Sequence, residues 1–228
     1  MRMHSASFSG IGKRRNNEDA FRIVNSDDGN RCLAVVCDGL GGHAMGEVAS
    51  LTVADAIVDF WNAHASEPDS EAKVADAVAY AMSALDEKAA SLNVSETGTT
   101  MVLASVVADT VTIAHVGDSR CYFMRRGEGL LYRTQDHVRR DFGWEVISRC
   151  FFSGHGDKCA ADVVQFNLKP GDRLLLCSDG LYKSMAPDIL MARMMDEKPL
   201  DDILDVFDFM CQKFGNDNYT GVLIEVGE

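Results

Sequence analysis

The hydrophobic positions of this chain change period from one segment to the next. Residues 4–9 are short and read as an edge strand, and residues 21–24 as a second strand. Residues 32–37 (Cys-Leu-Ala-Val-Val-Cys) are continuously apolar over a strand's length, which predicts a strand buried on both faces. From 45 to 64 the period becomes helical, with Leu51, Ala54, Val58 and Trp61 on one stripe. Residues 66–70, with Pro68 inside, break that helix. Val74, Val78, Ala81 and Leu85 then mark a second amphipathic helix whose polar face carries Glu71, Lys73, Asp76 and Asp86. From Gly98 the period shortens again. Residues 99–107, 111–116, 120–125 and 130–133 are rich in β-branched and aromatic types, parted by the turns Asp109-Thr110 and 126–129, and read as an antiparallel meander rather than a βαβ series. Residues 144–147 read as helical and 153–157 as loop. Residues 163–168 alternate as a strand, Lys169-Pro170-Gly171-Asp172 is a turn, and 173–177 is a second buried strand. Residues 187–195 and 199–214 read as helices opening near a proline, and 219–226 as a final strand. No repeat, low-complexity tract or linker interrupts this order, so one domain spanning residues 1–228 is expected.

Bulk composition narrows the function classes. A chain of 228 residues with 46% hydrophobic content builds a large core and is not disordered. The net charge of −13 argues against a nucleic-acid partner, which needs clustered Lys and Arg. An acid excess of this size suits a protein that binds divalent cations, although many proteins are simply acidic. The seven cysteines are scattered, and Cys37, Cys121 and Cys177 lie inside apolar runs, as reduced core thiols do. Residues 1–10 are polar with no secretory pattern, and no apolar stretch reaches membrane-spanning length. The expectation is a soluble, cytoplasmic monomer that does not engage a membrane.

Candidate chemistry lies where apolar strands meet acids. The run 32–37 ends in Asp38-Gly39, the run 173–177 in Ser178-Asp179-Gly180, and the run 111–116 in Gly117-Asp118-Ser119-Arg120; the run 219–226 is preceded by Asp217-Asn218. Turns favour aspartate, so each acid alone is a turn former. If the sheets bring the four to one edge, they make an oxygen-rich pocket that cannot stay ionised without cations. Oxygen ligands suit Mg2+ or Mn2+ rather than zinc. Upstream, Arg14-Arg15-Asn16-Asn17-Glu18-Asp19 sets a basic pair before an acidic one: an arginine to clamp a phosphoryl group, and two acids to reach the metals through water. By itself that segment reads as a solvated turn. Gly39-x-Gly41-x-x-Ala44, with Asp59 twenty residues on, imitates a dinucleotide fingerprint. A second helix follows the first, however, so no βαβ unit closes, and Asp38 would set a negative charge beside a pyrophosphate. Cys150, His155 and Cys159 match no common zinc framework. Ser119 lacks a nucleophile elbow, and His43 and His137 read as structural.

The ordered set of motifs resembles the metal-dependent, type 2C serine/threonine protein phosphatases, the short bacterial ones above all. It comprises 14–19, Val36 to His43 with Gly46-Glu47-Val48-Ala49-Ser50, Thr97-Gly98-Thr99-Thr100, Val116-Gly117-Asp118-Ser119-Arg120, Gln135-Asp136-His137, 169–172, Ser178-Asp179-Gly180-Leu181 and Asp217-Asn218-Tyr219-Thr220. The resemblance implies an α+β fold, a four-layer α-β-β-α sandwich of two antiparallel sheets flanked by helix pairs. It implies hydrolysis of phosphoserine and phosphothreonine by direct attack of a water activated by two Mn2+ or Mg2+ ions. Asp38 would bridge the ions, with the Gly39 carbonyl on one and Asp179 and Asp217 on the other. Glu18 and Asp19 would act through water, Asp118 with Asp179 would take a third, weaker ion, and Arg14, with Arg15 its nearest rival, would bind the phosphate. Phosphorylated proteins are the implied substrates, and serine/threonine kinases and their targets the implied partners. Two departures stand out. Leu40 occupies the position of a proposed acid histidine, and the 138–162 segment is short and lacks a flap-like pattern. Two other readings are a catalytically silent phosphoprotein-binding module of the same fold and a dinucleotide-dependent enzyme.

Overall fold

The computed structural model describes residues 1–41 and 45–227, with Lys158 through its backbone alone. Strand β1 (Met3–Gly10) leads to β2 (Asp19–Asn25) and β3 (Arg31–Asp38). Helices α1 (Gly46–Ala63) and α2 (Glu71–Ser91) follow, then β4 (Gly98–Thr99), β5 (Met101–Val107), β6 (Thr110–Val116), β7 (Arg120–Arg125) and β8 (Gly129–Arg133). A short hairpin, β9 (Val138–Asp141) and β10 (Trp144–Ile147), precedes β11 (Phe151–Phe152), a 3-10 turn at Gly156–Lys158, β12 (Asp162–Asn167) and β13 (Arg173–Cys177). The chain closes with α3 (Asp179–Tyr182), α4 (Pro187–Met194), α5 (Leu200–Phe214) and β14 (Tyr219–Val226).

Two five-stranded antiparallel sheets lie face to face, in the orders β12-β6-β5-β3-β2 and β1-β14-β13-β7-β8. The apolar strands read as buried on both faces are so, and their alternation sorts residues between layers. In β3, Cys32, Ala34 and Val36 enter the core between the sheets. Leu33, Val35 and Cys37 face α1 and α2. In β13, Leu174 and Leu176 take the inter-sheet side and Leu175 and Cys177 the side of α3, α4 and α5. The expected α-β-β-α sandwich is the observed one. All seven cysteines are buried and none is in a disulfide.

Four expectations need correction. The segment 99–133 is not one meander: β5–β6 is a hairpin of the first sheet and β7–β8 of the second, with Gly117 to Ser119 crossing between them. Local turn signals carry no information on which sheet a hairpin joins. Residues 144–147 form a strand, not a helix, paired to β9 with Trp144 opposite Asp141. Its side chains are mostly exposed, so no core imprints a period on it. In α1, Ala54 and Trp61 are buried as expected, but Leu51 is 45% exposed, and the buried face also runs through Ala49, Val53, Ala56 and Ile57. In α2, Lys73 is buried, not on the polar face: its ammonium pairs with Asp69 at 2.9 Å and sits 4.7 Å over the Trp61 ring.

Antiparallel pairing has one consequence for function. Asp19, at the start of β2, stands opposite Asp38, at the end of β3. Val116 at the end of β6 pairs with Met101 at the start of β5, and Cys177 at the end of β13 pairs with Arg120 and Gly221. Asp38 at the end of β3, Asp118 and Asp179 just after β6 and β13, and Asp217 just before β14 therefore collect at one end of both sheets.

Candidate metal centre

That shared end opens into a cavity of about 470 Å3 lined by Arg14, Glu18, Asp38, Gly39, Asp118, Asp179 and Asp217, together with Arg15, Thr100 and Ile147. Each acid arrives differently. Asp38 is held by its backbone: its N–H donates to Thr100 Oγ1 (3.0 Å), and its carbonyl accepts from Thr99 Oγ1 (2.8 Å) and Thr100 N–H (2.9 Å). Those bonds leave the carboxylate for the cavity. The glycine after it permits a close crossing with α1, since a Cβ on Gly39 would stand 2.5 Å from the Gly46 carbonyl oxygen. Asp179 opens α3, and Gly180 presses that helix start against β14, where a Cβ would meet the Asn218 carbonyl oxygen at 1.9 Å. This contact sets Asp179 beside Asp217.

The 11–19 loop is stapled across the chain by Asn218. Its Oδ1 accepts from Glu18 N–H (2.9 Å), and its Nδ2 donates to the carbonyls of Ile11 (2.9 Å) and Asn16 (2.8 Å). Arg14 is brought within 2.6 Å of Asp217 Oδ2. Asp118 follows the inter-sheet crossing. His137 Nδ1 accepts from Gly117 N–H (3.2 Å), and its Nε2–H donates to Asp162 (3.1 Å), so this imidazole steadies the turn that presents Asp118. His137, read as structural from the sequence, makes these bonds outside the cavity lining. Ser119 bonds Thr100 at 2.7 Å and is buried.

The electrostatics are those of carboxylates in want of cations. Burial pushes Asp38 well above the usual carboxylate range, and Asp19, Asp179, Asp118 and Asp217 push it further. Burial raises Asp19 to about 7 against hydrogen bonds from Ser178 and Thr220, and raises Asp118 to about 6, with Asp179 adding to it. Glu18 is also raised, by burial first and Glu47 second. Two like charges opposite each other in a ladder, Asp19 and Asp38, are destabilising on their own. Asp19 Oδ2 accepts from Ser178 (2.7 Å) while its Oδ1 is buried with no partner. A buried, unpaired carboxylate oxygen in an all-oxygen donor set fits a hard divalent cation.

Every site residue expected from the sequence reaches this end of the sheets; all but Asp19 line the cavity, and Asp19 lies beside it. Sequence reasoning gave no role to Thr100, Ser178, Asn218 or Lys183, whose ammonium is 2.6 Å from Asp179 Oδ2. The i,i+4 spacing of Asp179 and Lys183 was the available signal. The dinucleotide reading fails on the fold, because β3 pairs with antiparallel neighbours only and Asp59 is exposed on α1. His43 and Ala44 lie outside the described residues. Cys150, His155 and Cys159 do not form a metal-type group. Among the described residues, the group with ligand atoms all within 4.8 Å is His115, His137 and Asp162, none of which lines the acid cavity.

Residues 9–223 match the family model described as protein phosphatase 2C. The chain belongs to the protein phosphatase 2C family. Among its relatives is the serine/threonine phosphatase stp of Listeria welshimeri, 30% identical over 98% of this chain and 96% of its own. The catalytic domain of the serine/threonine protein phosphatase PstP, solved in complex with two manganese ions, superposes with a TM-score of 0.81 at 26% identity, over 99% of both chains. The phosphatase Stp1 of Staphylococcus aureus does so at 0.84 and 26%, over 100% of this chain and 96% of that one. This phosphatase 2C chain is thus a metal-dependent serine/threonine protein phosphatase of bacterial type, with Mn2+ or Mg2+ as cofactor and phosphoproteins as substrates. No described helix is long and apolar enough to cross a membrane.

Proposed function

We propose that the acid cavity is the hydrolytic centre and that its residues divide the work as follows. Asp38, the Gly39 carbonyl, Asp179 and Asp217 would hold two divalent ions, Asp38 shared between them, with Glu18 and Asp19 behind them through water. Asp118 completes the oxygen set beside Asp179. When bound, two such ions lower the pKa of water and neutralise charge on a phosphoryl group. Arg14, half exposed at the rim, turns its guanidinium from Asp217 to the phosphate of phosphoserine or phosphothreonine, an exchange of one oxyanion for another at little cost. The observation that carries this reading is the convergence of Glu18, Asp38, Asp118, Asp179 and Asp217 on one cavity, with Asp19 beside it holding a buried oxygen that lacks a partner.

Among the described lining residues there is no serine, cysteine or histidine, and the carboxylates would be committed to the ions. The Thr100 hydroxyl is engaged with Asp38 N–H and Ser119, and Leu40 has no proton to give. Water therefore attacks the phosphorus directly and no phosphoenzyme forms. Acid quenching during turnover of a 32P-labelled phosphopeptide tests this: all label leaves as inorganic phosphate, whereas label retained on the protein overturns the direct mechanism. We place the enzyme in the cytoplasm as a monomer opposing serine/threonine kinases, a setting that the reduced thiols and acidic surface support.

A further inference from the structure

Lys183 has no part in the roles above, yet its ammonium pairs with Asp179 as Arg14 pairs with Asp217. It stands one helical turn after Asp179, and its Nζ lies 2.6 Å from Asp179 Oδ2. Its charge also acts on Asp118 and Asp38, and it lowers the buried Asp118 against burial and Asp179, with a backbone hydrogen bond adding to it. A second cation on this side, Arg120, is already committed. It makes a bidentate pair with Asp136 (2.8 and 2.6 Å) and stacks 3.5 Å over the Tyr182 ring. Tyr182 in turn donates its hydroxyl to the Asp118 carbonyl (3.2 Å), which anchors the turn that Lys183 faces.

We propose that the Lys183 ammonium is a built-in counter-cation for the Asp118–Asp179 pair and excludes a third divalent ion from it. The inference rests on the reading of the acid cavity as a metal centre. An ion bound to Asp179 Oδ2 would sit about 2.1 Å from that oxygen. The ammonium is already paired with that oxygen and, unlike Arg14, has no phosphate to turn to, and two cations on one oxygen repel. Asp179 keeps Oδ1 for the principal ions, because a carboxylate offers about four lone-pair sites over two oxygens. Lys183 therefore replaces a weakly held ion with a covalently tethered charge, and the centre completes itself at two ions.

The test is Mn2+ stoichiometry on the full chain, by calorimetry and by electron paramagnetic resonance of free Mn2+, for wild type, Lys183→Gln, and Lys183→Gln with Asp118→Asn. The Lys183 side chain is 58% exposed, so the glutamine variant folds, which circular dichroism checks. The expected result is two ions in wild type, a third, weaker ion in Lys183→Gln, and two again in the double variant. Three ions in wild type, or two in Lys183→Gln, overturns the inference while leaving the metal centre intact. No ion in wild type overturns both.

Discussion

Asp19 and Asp38 stand opposite each other on paired strands, where two like charges repel. The pH behaviour of the metal-free protein follows. Asp19 is raised to about 7 and Asp118 to about 6, so the folded state retains protons that the unfolded chain releases near pH 4. Stability is then fully present below about pH 4 for these groups and falls as pH rises toward about 7. Thermal unfolding in chelator should show a melting temperature that declines over that window, and saturating Mn2+ should abolish the decline. Asp38→Asn should raise the metal-free melting temperature while removing activity. Arg14 makes the complementary prediction. Its pair with Asp217 is half exposed and contributes little stability. Arg14→Ala should leave the melting temperature near wild type but lower kcat/KM on a phosphopeptide about 10²–10³-fold. An equal loss in Arg15→Ala, with Arg14→Ala active, would reverse the assignment between them. The acids and Arg14 were legible in the sequence because metal and phosphate chemistry admit few residue types. Lys183 and Asn218 were not: a lysine one turn after an aspartate is common on helices, and an asparagine in a turn has many local uses.

Elements deliver these residues through close backbone crossings, and there the glycines carry information that hydrophobic periodicity does not. Gly180→Ala should destabilise by at least about 1–3 kcal/mol, since its Cβ would meet backbone rather than a side chain that can move aside. Denaturant unfolding measures this, and Mn2+ affinity should fall with it because α3 carries Asp179 and β14 follows Asp217. The strongly apolar strands β3, β13 and β14 were readable from sequence because two packed faces imprint continuous hydrophobicity. The hairpin β9–β10 was not, since Trp144 is 77% and Phe142 fully exposed and no core shapes their pattern. The assignment of β5–β6 and β7–β8 to different sheets is a long-range choice set by packing, invisible to local turn signals.

At the scale of the whole molecule, the proposed metal centre joins the two sheets. Asp38 comes from one, Asp179 and Asp217 from the other, and Asp118 from the crossing between them. Cations held there would couple the sheets, and the proposed single domain should unfold in one cooperative transition. Mn2+ at 100 times its dissociation constant should add about 2.7 kcal/mol, and Asp38→Ala should forfeit that gain. The most direct test of the account is phosphopeptide hydrolysis by wild type and Asp38→Ala across a Mn2+ titration begun from chelated protein. The account predicts no turnover without Mn2+, turnover that rises with it in wild type, and a loss of about 10³-fold or more in Asp38→Ala at saturating Mn2+. Turnover in chelator, or a wild-type rate in Asp38→Ala, would contradict it.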